Sequence, residues 1–180
     1  MFPAKTTLSH IEQLRFEDAA ANIKEYEKPY LAEFFSAGGW KTILASPYRT
    51  LVMALSDVRI RAGFDLMIRS FHDMTEAAQK NGAKFIVVLL PTKEFVFQDK
   101  AAGRFLDEKY RKLLVVETQL KSKLVDALHR DGIVVIDPLP ALEQAQSQPY
   151  FEDSNGHPNQ IGHEIIAGSI YQYLKHNNLD

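Results

Sequence analysis

The sequence predicts an α/β fold in which helices cover a parallel sheet. Two short runs, "KFIVVLLP" at 84–91 and "IVVIDP" at 133–138, are β-branched and apolar without alternation. That pattern marks strands buried on both faces. A long segment between them, about 104–130, carries an apolar stripe at helical spacing. The order helix–strand–helix–strand–helix then calls for right-handed βαβ crossovers in a three-layer α/β arrangement.

Along the chain, residues 1–45 read as a helical N-terminal segment and 46–180 as the α/β part. Leu8, Ile11, Leu14 and Ala19 recur at loose helical spacing, so 8–35 reads as helix, interrupted at Pro29 and again at Ala37-Gly38-Gly39. Pro47 suits a first turn, and Leu51, Leu55 and Val58 follow it, which predicts a helix over 47–60. Phe64, Met67, Ile68, Phe71, Met74, Thr75 and Ala78 form one core-facing stripe that ends at Asn81-Gly82. In the helix at 104–130, Leu106, Tyr110, Leu113, Leu114, Leu120, Leu124 and Leu128 face the core, and Gly132 stops it. Asn159 caps a last helix with Ile161, Ile165, Ile166, Ile170 and Leu174 on its buried side.

Only two strands are read this way, and a two-stranded parallel sheet does not make a domain. "WKTILAS" at 40–46 is a candidate third strand, although its neighbours read as helical. Either the N-terminal half supplies further strands or the chain belongs to a larger sheet. An open strand edge would be covered by the N-terminal helices or by self-association with a second copy.

Composition narrows the function. A chain of 180 residues suits one domain. A net charge of −2 gives no basic footprint for nucleic acid. No apolar run reaches the roughly 18 residues of a membrane span. The start, "MFPAKTTLSH", lacks the apolar core of a secretory signal, and localisation stays open. The absence of cysteine excludes disulfides, thiol nucleophiles and cysteine-based zinc sites.

In an open parallel sheet, ligands bind beyond the carboxyl ends of the strands. Two loops leave those ends: "PTKEFVF" at 91–97, and the stretch from Asp137 through Pro149 to His157. They bring Lys93, Glu94, Asp153 and His157 to one rim. Lys93 and Glu94 are equally compatible with substrate contact and with a solvated loop. His157 stands two residues before the cap Asn159, and Pro158 holds it outside the helix. A histidine on such a turn can serve as general base, with Asp153 as the nearest upstream carboxylate. The competing reading is a polar turn residue.

The block "NGHPNQIGHEIIA" resembles the last block of the SGNH (GDSL-like) hydrolases, which carry an Asp, then a His, then a helix with Gly. "KFIVVLLPTKEFVF", the long helix and "GIVVIDPLPAL" extend the resemblance over roughly residues 45–175. It implies a flavodoxin-like three-layer α/β/α architecture with the sheet incomplete, and an esterase or acyltransferase acting on a small-molecule or glycan acyl ester. A serine would attack the ester, His157 would be its base and Asp153 would orient His157. Two departures stand out. The Gly-Asp-Ser, glycine and Gly-x-Asn-Asp blocks are absent: Ser36, Ser46, Ser56 and Ser70 all lack that context. The family's Asp precedes its His by three residues, where this chain has Ser154. The missing blocks and the missing strands share one expected cause, that this is the C-terminal part of a longer hydrolase. The alternative is a non-catalytic α/β binding or interaction module.

No cofactor or metal is expected. Gly38-Gly39 has no following Lys-Ser/Thr, and His157 and His163 are six residues apart, too far for a shared ion on one helix face. His163, His10, His72, His129 and His176 read as surface residues.

Overall fold

The structure, a computed structural model, describes residues 33–101, 108–153 and 156–178. Strands β1 (Glu33–Ala37) and β2 (Trp40–Leu44) come first and pair antiparallel, with Ala37 opposite Trp40. Residues 33–35, read above as helix, are therefore strand. Gly38 and Gly39 both take positive φ, +59° and +81°. Two such residues between strands make a tight hairpin whose twist matches its strands, so the glycine pair turns the chain rather than ending a helix. "WKTIL" is a strand as its composition suggested, but it joins the hairpin and not the parallel pair. The rest of the 1–32 reading lies outside the described residues.

Helix α1 (Ser46–Met53) follows β2 directly, and α2 (Val58–Lys80) follows after a short turn. The helix expected over 47–60 is thus two. Asp57 divides them, because its side chain accepts from the Arg59 N–H and caps α2. Leu51 and Val58, whose spacing suggested that helix, are exposed, Val58 at 73%. The α2 stripe is also less buried than expected. Only Thr75 of its 23 residues is fully buried, Phe71 packs on Phe85, and Met74 is exposed.

Strand β3 (Ile86–Val88) pairs parallel with β4 (Val134–Ile136). The fold is therefore mixed α/β with one parallel pair. Among the described residues each of these strands is paired along one edge only, and Ile86 and Val88 are half-buried. Burial on both faces holds only in part: Val87 packs with Leu128 and Ile133, while Val88 lies against the main core. Between the strands come two short helices, α3 (Lys93–Val96) and α4 (Gln98–Ala101), and the long α5 (Glu108–Arg130). Tyr110, Leu113 and Leu128 of α5 are buried. The chain closes with α6 (Leu139–Glu143) and α7 (Gln160–His176). Ile166 of α7 is buried, but Ile161, expected on the same face, is exposed.

The main core lies at the carboxyl ends of β3 and β4. Phe97 sits in edge-on contact with Phe35 and Trp40, at 5.6 and 4.9 Å between ring centres. Leu44, Tyr110, Leu142, Tyr150 and Ile166 complete the cluster. The hairpin, α3, α5, α6 and α7 thus converge on the rim where the two loops emerge.

Candidate functional site

The loop after β3 begins with Pro91 and Thr92. The Thr92 hydroxyl accepts from the Phe95 N–H at 3.2 Å and starts α3. Glu117 of α5 fixes this start from outside, accepting from the Thr92 N–H at 3.0 Å and from its hydroxyl at 2.6 Å. Burial pushes the Glu117 carboxyl above its usual range, and the two Thr92 bonds counter part of that shift.

The first two residues of α3 are Lys93 and Glu94, both 0% exposed. They are not a solvated loop. Lys93 donates to the Thr42 hydroxyl at 3.1 Å and to the main-chain carbonyl of Asp153. Burial pulls its ammonium down from 10.5 to about 8, with the charges of Glu94 and Asp153 acting in the opposite sense. Glu94 faces α1. One carboxylate oxygen accepts from the Ala45 N–H at 2.9 Å, at the helix N-cap, and the other accepts from Arg49 Nε at 3.1 Å. A carboxylate at a helix N-terminus meets free N–H groups and the positive end of the dipole. The Glu94 main-chain carbonyl accepts from the Tyr110 hydroxyl at 2.6 Å.

Arg49 carries the network to the histidine loop. Its guanidinium lies where a Cβ of residue 156 would stand, so a larger residue there would have to displace the Arg49 side chain. The described residues of the loop are held at several points. The Ile43 N–H donates to the Glu152 carbonyl at 3.1 Å, and the Lys41 N–H to the Gln148 side chain at 2.8 Å. Tyr150 donates to the Pro91 carbonyl at 2.7 Å, tying one loop to the other. Tyr150 and Pro158 form an isolated bridge, and Asn159 closes it by donating to the Gln148 carbonyl at 2.8 Å. The Asn159 side chain also accepts from the Gly162 N–H at 3.1 Å and caps α7 as expected.

Lys93 and Asp153 therefore meet, although through the Asp153 carbonyl. Glu94 pairs with Arg49, which the sequence reading had passed over along with Thr42. The chain separations of 45 residues for Glu94–Arg49 and 51 for Lys93–Thr42 explain why local pattern gave no warning. His157 is exposed on the turn ahead of α7, and its carbonyl accepts from the Phe151 N–H at 3.4 Å. His163, His72, His129 and His176 are exposed; His10 lies outside the described residues. Among the serines, Ser46 does follow a buried strand and opens α1, but it is fully buried. Ser36, Ser56 and Ser70 are exposed away from β3 and β4.

Among the described residues no group of three or more His, Asp or Glu side chains is arranged to hold a metal ion. No described helix is long and apolar enough to cross a membrane. No protein-family model matches the chain, and neither the curated proteins nor the solved structures offer a match.

Proposed function

We propose that this chain supplies the histidine-bearing half of an SGNH-type (GDSL-like) ester hydrolase or acyltransferase, with a flavodoxin-like parallel sheet completed by further strands. One observation carries the reading: an exposed His157 stands on a loop fastened to the loop after β3, at the carboxyl end of a parallel strand pair. In this reading His157 is the general base. It takes the proton of a serine hydroxyl as the oxygen bonds to the ester carbonyl carbon, then returns a proton to the departing alcohol. Asp153 orients it. The serine is not in a Gly-Asp-Ser context anywhere in the 180 residues, so another polypeptide segment supplies it. The ester is that of a small molecule or glycan.

Fluorophosphonate labelling of the chain followed by peptide mass spectrometry tests the borrowed nucleophile. The expected result is no labelled serine. A serine of this chain labelled in the wild type and lost in His157→Ala would overturn it.

A second reading, a non-catalytic α/β binding module, draws on the buried network. Lys93 bonds to Thr42 and Glu94 to Arg49 inside the chain. Cooperative thermal unfolding of a monomer would favour the module, and aggregation would favour the half-enzyme.

A further inference from the structure

A trough runs between α2 and α5. It consists of two adjoining cavities of about 830 and 540 Å³ that share Phe64, Asp65 and Lys123. Phe64, Ile68, Val116 and Leu120 form its half-buried apolar floor. Leu51 of α1, 56% exposed, also lines it. Cations stand on both walls, Arg61 and Arg69 on α2 and Lys112, Lys123 and Arg130 on α5. Asp65 and Asp126 are the carboxylates among them. Among the described residues none of these five cations is ion-paired. Arg61, Arg69 and Arg130 donate their Nε to the main-chain carbonyls of Leu55, Asp65 and Asp126, which leaves the guanidinium charge uncompensated. The trough is thus cationic in a chain whose net charge is −2.

The layout of charge and apolar surface selects the occupant. Small-molecule pockets place a few polar groups to fix one ligand. Here the cations are strung out instead, since Lys112 to Arg130 covers about 27 Å of α5. A nucleic acid would lay its phosphates over an apolar floor and meet two carboxylates. A second copy presenting the same face would set cation against cation. A helix with apolar residues at i, i+3, i+4 and i+7 and carboxylates on either side of them fits both features. Its apolar stripe would cover the floor while its carboxylates meet the cations of the two walls. We infer that the trough between α2 and α5 docks an acidic amphipathic helix of a partner protein.

Fluorescence anisotropy tests this on the full chain with a fluorescein-labelled peptide of about 18 residues, long enough to span the trough as a helix. The probe carries leucine at i, i+3, i+4 and i+7 and glutamate on both flanks. A peptide of the same composition with the leucines scattered round the helix is the control. The expected result is saturable binding of the probe at micromolar concentrations, weakened about tenfold or more by 0.5 M salt. The double variant Lys112→Glu, Lys123→Glu should weaken it about tenfold or more as well, and Lys175→Glu, outside the trough, should not. On the unaltered chain, hydrogen exchange should slow on binding within 61–69 and 112–130. Equal binding of the scattered peptide, indifference to the double variant, or protection elsewhere would overturn the inference. So would a homodimer that the double variant dissociates, which would assign the trough to a second copy.

Discussion

At the scale of single residues, Lys93 and Glu94 decide how the rim is built. Glu94 holds a helix N-terminus and a guanidinium together, so Glu94→Gln keeps the shape but removes the charge that faces Arg49. Arg49 retains some contact with solvent, which limits the loss to about 2 kcal/mol in urea unfolding. A double-mutant cycle with Arg49→Met should show coupling of at least about 1 kcal/mol, and additive effects would contradict the pairing. Lys93 makes a prediction in pH. Its folded value of about 8 lies below the ordinary 10.5, so between these values the unfolded chain holds more protons than the folded one. Stability contributed at this residue therefore rises with pH across that window, and the full burial cost is present below it. Relative to Lys93→Met, the wild type should gain on the order of 2 kcal/mol between pH 7.5 and 10. Parallel pH profiles would show that Lys93 is not buried as a charge. The sequence marked both residues by their place after a buried strand, but not their burial. That depends on Thr42 and Arg49, whose approach only the tertiary fold creates.

At the scale of elements, α7 contains a contrast within one helix. Gly162, in its first turn, faces the Pro149 carbonyl, and an added Cβ would also lie 2.7 Å from Pro158 Cβ. Gly168, two turns on, has open space around it. Gly162→Ala should cost about 2 kcal/mol or more by forcing the loop off the helix, whereas Gly168→Ala should stabilise by about 0.5–1 kcal/mol through helix propensity. Thermal midpoints moving in the same direction for both would contradict the close approach at Gly162. The α7 cap, α5 and the strand pair were legible because each announces itself within a short window. The hairpin was misread at Gly38-Gly39, since a glycine pair ends a helix as readily as it turns two strands. The break at Asp57 was missed because a stripe continuing through Leu51, Leu55 and Val58 masked a capping residue. Burial of the α2 stripe was overestimated because periodicity shows which face is apolar, not whether anything packs on it.

At the scale of the whole molecule, two features belong together. The parallel pair has one open edge on each strand among the described residues, and the core has gathered instead at the rim, around Phe97 and Tyr150. The described part of the histidine loop is hydrogen-bonded to this rim, through Tyr150 to Pro91 and through Asp153 to Lys93. The proposed role of His157 as a base would place that base on this rim, beside a strand pair with open edges among the described residues. Hydrolysis of p-nitrophenyl acetate tests this most directly. The assay compares the chain alone, the chain extended by the coding sequence upstream of Met1, and that extended form with His157→Ala. Background turnover is expected of the chain alone, and a clear rate of the extended form that His157→Ala abolishes. His157-dependent turnover by the chain alone, or an extended form indifferent to His157, would contradict it.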